Sequence, residues 1–93
     1  MKRIFITGVS SGIGKELALE YAKQKCIIGI SARRYKLLKN IAKDCNNLGS
    51  KTYVYQLDVQ NRHKCEQVIG EFLKIAGGID YVCLLYTSDA ADE

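Results

Sequence analysis

The chain has 93 residues, 47% of them hydrophobic and 26% charged, proportions ordinary for a globular sequence and unlike a disordered or fibrous one; at this length it is one small domain or part of a larger one. Its apolar runs are short and interrupted, far from the roughly 20 residues of a membrane span, and Met1-Lys2-Arg3 leads to Gly8, Ser10 and Ser11 instead of a signal-peptide stretch, so no membrane partner and a cytoplasmic location are expected. The formal charge of +4 comes from lysines scattered over several segments with no aromatic-interleaved basic stripe, which argues against nucleic acid as a partner.

Arg3-Ile4-Phe5-Ile6-Thr7 is a β-branched and aromatic run closed by Gly8, the pattern of a short buried strand. From Gly12 to about Lys25, Ile13, Leu17, Ala18, Tyr21 and Ala22 recur at helical spacing, with Lys15, Glu16, Glu20 and Lys23 on other faces. Residues 27–32 read as a second buried strand. Leu37, Leu38, Ile41, Ala42, Cys45 and Leu48 line one side of a helix that Gly49 terminates. A third strand is predicted at Thr52–Leu57. Asn61 is a plausible N-cap for a helix with Cys65, Val68, Ile69, Phe72, Leu73 and Ala76 on its apolar face, stopped by Gly77-Gly78. Ile79-Asp80-Tyr81-Val82 is predicted to start a fourth strand. Strands alternating with amphipathic helices indicate βαβ units, with crossover helices covering both faces of a parallel sheet.

The four cysteines, Cys26, Cys45, Cys65 and Cys83, form no C-x-x-C pair. Neither zinc nor any other metal site nor a redox dithiol is indicated, and buried reduced thiols are expected.

Thr7-Gly8-Val9-Ser10-Ser11-Gly12-Ile13-Gly14 lies between the first predicted strand and helix. Glycines at that junction let the chain turn, let backbone approach a pyrophosphate and let helix and strand pack closely, while free N–H groups at the helix start attract anionic oxygens. The alternative is a tight turn of purely structural use. Gly-Ile-Gly-Lys is not an ATPase phosphate loop, because Gly8 and Gly14 are separated by one residue too many and Glu16 stands where a Ser or Thr would hold magnesium. Nor is the spacing G-x-G-x-x-G; it is G-x-x-x-G-x-G.

That spacing, written TGVSSGIG directly after a strand, resembles the cofactor loop of the short-chain dehydrogenase/reductase family. The resemblance implies an α/β Rossmann-type doubly wound parallel sheet, of which this chain would hold the N-terminal half with strand order 3-2-1-4. It implies that Gly8, Gly12, Ile13 and Gly14 meet the cofactor. Ser10 and Ser11 would add hydroxyls near the phosphates, or serve only the turn.

In this family the end of the second strand selects between NAD and NADP, and Ser31-Ala32-Arg33-Arg34 stands there. An acidic residue would bind the ribose hydroxyls of NAD and repel a phosphate, whereas arginine's forked donors suit a phosphate dianion. NADP(H) is therefore expected over NAD, with Arg33 the better candidate and Arg34 second; the alternative is two solvated arginines at a helix start. Leu57-Asp58-Val59 ends the third strand, where the family carries an Asp and a small apolar residue against the adenine. Asp58 would accept from the adenine amino group and Val59 offer backbone, or Asp58 would cap the following turn.

After Val82 the resemblance breaks. Where the family continues into Asn-Ala-Gly, this chain reads Cys83-Leu84-Leu85-Tyr86-Thr87-Ser88-Asp89-Ala90-Ala91-Asp92-Glu93, a string similar to the translated adapter of transposon-based sequencing libraries. Residues 1–82 are thus expected to be a partial NAD(P)-binding domain and residues 83–93 an artefactual tail. The family's catalytic tyrosine and lysine, with an upstream serine and asparagine, lie beyond the fifth strand and have no counterpart here. Tyr21 with Lys25 and Tyr35 with Lys39 both fit Y-x-x-x-K, but on helices expected beside the cofactor's adenine half. His63 is assigned no role. The resemblance implies an oxidoreductase that moves hydride between a nicotinamide and a small-molecule carbonyl or alcohol, commonly as a homo-oligomer, with this chain silent by itself and its fourth strand an aggregation-prone edge. A non-catalytic NADP-binding sensor on the same fold is the alternative. A sugar-nucleotide epimerase ranks below both, since its G-x-x-G-x-x-G is not met.

Overall fold

The computed structural model describes residues 2–8, 12–58 and 61–84. In chain order the elements are β1 (Arg3–Thr7), α1 (Gly12–Lys23), β2 (Ile27–Ala32), α2 (Tyr35–Asn47), β3 (Lys51–Gln56), α3 (Arg62–Ala76) and β4 (Tyr81–Leu84). Among the described residues the strands form one sheet in the order β3-β2-β1-β4. Every pairing is parallel, with Ile4 opposite Ile28 and Tyr81, and Ile28 opposite Thr52. This is the α/β Rossmann-type N-terminal half that the sequence implied.

Strand residues alternate between the two faces of a sheet, and two cores result. Ile4 and Ile6 of β1 and Ile28, Ile30 and Ala32 of β2 meet Ala18 and Ala22 of α1 and Leu38, Ile41, Ala42 and Cys45 of α2. On the other face Phe5 and Leu57 meet Val68 and Phe72 of α3, with Tyr53, Tyr55 and Ile79 packed around them. The central strands β1 and β2 are apolar at consecutive positions because both their faces are covered. Each fully buried isoleucine contributes about 1.5–3 kcal/mol, so the two middle strands anchor the domain. The Phe5 and Phe72 rings stand 5.4 Å apart at 53°, close to the edge-on arrangements that aromatic quadrupoles favour.

The helix ends follow local chemistry. The Asn61 side chain accepts the backbone N–H of Lys64 at 3.1 Å, and Gly77 caps α3 in the left-handed conformation with its N–H on the Leu73 carbonyl. Gly49 follows the end of α2. Cys26 and Cys45 are buried, Cys65 and Cys83 half-buried, and none of the four is joined in a disulfide; burial first, then Asp44, pushes the Cys45 thiol up to about 11.

Four expectations need correction. Ile13 is 70% exposed and does not join the core face of α1. Leu37, Leu48 and Leu73 are likewise exposed, at the rims of stripes whose centres are Leu38, Cys45 and Phe72. Helix α1 stops at Lys23, and Lys25 takes a left-handed φ of 60° in the turn, so Tyr21 and Lys25 do not share a helix. Finally, β4 starts at Tyr81, not at Ile79, and runs to Leu84. Gly77 and Gly78, with φ of 83° and 149°, prolong the turn; Ile79 then packs on the α3 face, and the Asp80 N–H goes to the Arg3 carbonyl. Cys83 and Leu84, the first residues of the expected tail, pair with Ile6 and Thr7. The remainder of that tail lies outside the described residues.

Candidate functional site

In a parallel sheet all carboxyl ends lie along one edge, and in open α/β sheets ligands bind in the crevice outside that edge. Here the edge brings together Gly8 after β1, Arg33 and Arg34 after β2, and Leu57 and Asp58 after β3. The residues singled out in three separate stretches of sequence thus converge. Ser10, Ser11 and Val59 fall outside the described residues.

Gly8 is buried with a φ of 74°, a left-handed turn that a Cβ would oppose. Its N–H donates to the Ser31 carbonyl at 2.8 Å, which holds Gly8 against the end of β2. Helix α1 opens at Gly12, which is exposed, and a Cβ built there meets nothing within 4 Å among the described residues. None of those residues demands the space at Gly12. Gly14 is buried one turn start further in. Ile13 between them presents an apolar side chain to the outside, which positions it for contact with a bound group more than with the core. Open backbone, a left-handed turn and the amino end of a 12-residue helix are the parts from which a pyrophosphate cradle is made, so the residues present fit a dinucleotide.

Arg33 and Arg34 are both exposed. Arg34 sits at the N-cap of α2 with an extended backbone, φ −93° and ψ 103°, and caps it with no side-chain hydrogen bond; the first turn of α2 carries no acidic residue. Two guanidinium groups at the positive end of a helix dipole make an electropositive corner. At the end of β3, the Asp58 carbonyl accepts the Asn61 N–H at 2.9 Å, while the cap of α3 is the Asn61 side chain.

Two features of this edge had no place in the sequence reading. The Gln56 side chain donates from Nε2 to the Arg33 carbonyl at 3.0 Å; a glutamine after the apolar run Tyr53-Val54-Tyr55, in register with Ala32, was the available signal. Thr7, Ser31 and Tyr55 stand opposite one another on β1, β2 and β3. The Thr7 hydroxyl reaches the Cys83 carbonyl at 3.4 Å, whereas the buried Ser31 Oγ and Tyr55 hydroxyl have no hydrogen-bond partner among the described residues. Burial, with Glu71 and Tyr53 adding to it, raises the Tyr55 phenol.

The Y-x-x-x-K pairs are elsewhere. Tyr21 is half-buried against the core of α1 and α2, and the Lys39 amine lies 5.7 Å over the Tyr35 ring on α2. His63 is exposed in the first turn of α3. Among the described residues no group of three or more His, Cys, Asp or Glu side chains could hold a metal, and no helix is long and apolar enough to cross a membrane.

Residues 2–84 match the family model described as short chain dehydrogenase. A hydroxysteroid 11-beta-dehydrogenase 1-like protein of Xenopus tropicalis is 36% identical over 83 residues, 88% of this chain and 29% of its own length. An 11-beta-hydroxysteroid dehydrogenase A of Sesamum indicum is 37% identical over 82 residues, 87% of this chain and 24% of its own length. Among solved structures, an alcohol dehydrogenase from the archaeon Thermococcus sibiricus complexed with 5-hydroxy-NADP superposes with a TM-score of 0.83 at 30% identity, over 88% of this chain and 35% of that one. An NADH-dependent reductase complexed with NAD gives 0.75 at 25% identity, over 89% of this chain and 35% of that one. The chain spans less than a third of the length of the curated relatives it matches. With its parallel sheet in the order β3-β2-β1-β4, its glycine junction after β1 and a family match over residues 2–84, the chain belongs to the short-chain dehydrogenase family.

Proposed function

We propose that this chain is the cofactor-binding part of an NADP(H)-dependent oxidoreductase that, in the whole protein, moves hydride between the nicotinamide and a small-molecule carbonyl or alcohol. In this reading Gly8, Gly12 and Gly14, with Ser10 and Ser11, receive the pyrophosphate, Ile13 touches the cofactor, and Asp58 and Val59 receive the adenine. The nicotinamide supplies the hydride chemistry when bound; these residues bind and orient. Since the family's proton-transfer tyrosine and lysine have no counterpart here, the chain by itself is inactive. The whole protein is cytoplasmic and homo-oligomeric in this proposal.

The observation that carries it is the exposed Arg33–Arg34 pair at the start of α2, without an acidic residue in that turn. One similar structure holds an NADP-type coenzyme and another NAD, so the fold accepts both and local charge must choose. A hydrogen bond to a charged group is worth about 1.5–3 kcal/mol, tenfold or more in affinity.

Calorimetric titration of the chain with 2′,5′-ADP and with 5′-ADP tests this. Expected is at least about tenfold tighter binding of 2′,5′-ADP, abolished in Arg33→Ala. An unchanged ratio in Arg33→Ala would sink the NADP assignment, and no binding of either ligand would sink the cofactor site.

Residues 83–93 are proposed to be foreign to the gene. Cys83 and Leu84 complete β4 through backbone pairing, which any residue with an N–H can supply. Resequencing the locus without transposon-based chemistry should replace this segment; recovering it unchanged would overturn the point.

A further inference from the structure

The ends of β2 and β3 are joined beyond the last strand pairing, Ala32 with Gln56. The Leu57 N–H donates to the Ala32 carbonyl at 2.9 Å. The Gln56 side-chain amide donates to the next carbonyl, that of Arg33, at 3.0 Å. Two successive carbonyls leaving β2 are thus held by two successive residues of β3. A peptide is planar, so fixing the Arg33 carbonyl fixes the plane that links Arg33 to Arg34. It thereby sets the direction in which each Cα–Cβ bond leaves the backbone. The extended backbone of Arg34 at the N-cap follows from the same plane, because the chain must turn there from strand into helix. Gln56 is exposed and contributes nothing to either core, so its side chain is free to be chosen for this bond.

From these contacts we infer that Gln56 is a positioning residue for coenzyme choice: by holding the Arg33 carbonyl it aims the Arg33 guanidinium at the corner where a 2′-phosphate would sit. This rests on the NADP reading above. A long flexible arginine bound to phosphate gains from a backbone already in place, since ordering it afterwards costs conformational entropy. Gln56 itself touches no ligand and acts through Arg33.

The experiment is a double-mutant cycle on the full chain, with Gln56→Met, which keeps size and removes the donor, Arg33→Ala, and the pair. Affinities for 2′,5′-ADP and 5′-ADP are read for each, with melting temperature as a check on folding. Gln56→Met is expected to lower the 2′,5′-ADP over 5′-ADP preference about threefold or more while leaving 5′-ADP affinity and melting temperature unchanged. In the Arg33→Ala background the same change should do nothing further, because the group it positions is gone. If Arg33→Ala abolishes the preference and Gln56→Met leaves it intact, the positioning role fails while the NADP reading stands. Equal loss of both ligands, or losses that add in the pair, would also overturn it. If neither substitution moves the ratio, the NADP reading itself has failed.

Discussion

Arg3 and Asp80, 77 residues apart in sequence, are bound through four hydrogen bonds: the Asp80 carboxylate accepts from the Arg3 backbone N–H at 2.8 Å and from Nε and Nη2 at 3.1 Å each, and the Asp80 N–H donates to the Arg3 carbonyl at 2.8 Å. Arg3 Nη1 also donates to the Gly77 carbonyl at 3.0 Å. The pair therefore ties the start of β1 to the turn that delivers β4, on the edge of the sheet opposite the candidate site. Its role is in setting register: with Asp80 N–H on the Arg3 carbonyl, β4 can pair with β1 only from Ile4–Tyr81 onward.

The Asp80 carboxyl is held below the usual carboxylate range, first by the Arg3 side chain and then by its backbone N–H. A depressed folded value stabilises the fold above the ordinary aspartate value of about 3.9, and that stabilisation is lost as pH falls through the lower folded value. Melting temperature measured downward from about pH 6 should fall more steeply in the parent than in Asp80→Asn, whose side chain does not titrate. Parallel acid limbs would show that the pair does not contribute. Because both side chains are about one-third exposed, at 33% and 35%, added salt should narrow the difference between the two proteins.

Gly29, in the middle of β2, has no room for a side chain. A Cβ there would come within 2.7 Å of Phe5 Cδ1 and 2.8 Å of Phe72 Cδ1, both fully buried. Since neither ring can retreat, Gly29→Ala should destabilise by about 1–3 kcal/mol, as overpacked cores do, read as a lower urea midpoint. An unchanged midpoint would mean that the α3 face is looser than its geometry.

Much of this was legible in the chain. Continuous apolar runs at Ile4–Ile6 and Ile27–Ile30 and the helical pattern at Leu38–Cys45 placed strands and helices because those residues are buried from both sides or along one stripe. What failed did so where tertiary contacts overrule local pattern. Ile13 has the spacing of a core residue, yet it sits at the first turn of α1, before that helix has reached the sheet. The start of β4 was misjudged because Ile79 is apolar like its strand neighbours, whereas the Arg3–Asp80 contact that sets the register is invisible at a separation of 77 residues. At the site, glycine spacing and arginines were readable because backbone freedom and charge are properties of single residues. Gln56 was not, since its role depends on a neighbour in another strand.

Ser31 tests whether the carboxyl edge contains a cost kept for another purpose. Its side chain is fully buried and Oγ has no hydrogen-bond partner among the described residues, a situation that costs about 1–3 kcal/mol. Ser31→Ala removes the hydroxyl and leaves the backbone carbonyl that receives Gly8. Thermal unfolding should show Ser31→Ala as stable as the parent or up to a few degrees more so, which for a domain of this size corresponds to about 1 kcal/mol. A clear loss of stability would mean that Oγ is satisfied in solution, most simply by a bridging water shared with the neighbouring Tyr55 hydroxyl.

Gly12 separates what the chain needs from what a ligand needs. With nothing within 4 Å of a Cβ at this position, and with alanine better than glycine in a helix by about 0.5–1 kcal/mol, Gly12→Ala should leave the fold as stable as before or slightly more so. If the pyrophosphate lies against the amino end of α1, the same methyl group occupies the approach and 5′-ADP affinity should fall about tenfold or more, as a sterically displaced charge-assisted contact would give. Gly8→Ala behaves differently, because the left-handed φ of 74° makes the added Cβ strain the backbone, about 1–2 kcal/mol, so stability and binding fall together. Denaturation midpoints and calorimetric titrations on the two variants give four readings. Undiminished 5′-ADP binding by a folded Gly12→Ala would place the phosphates somewhere other than this helix end and remove the physical basis for the glycine at position 12.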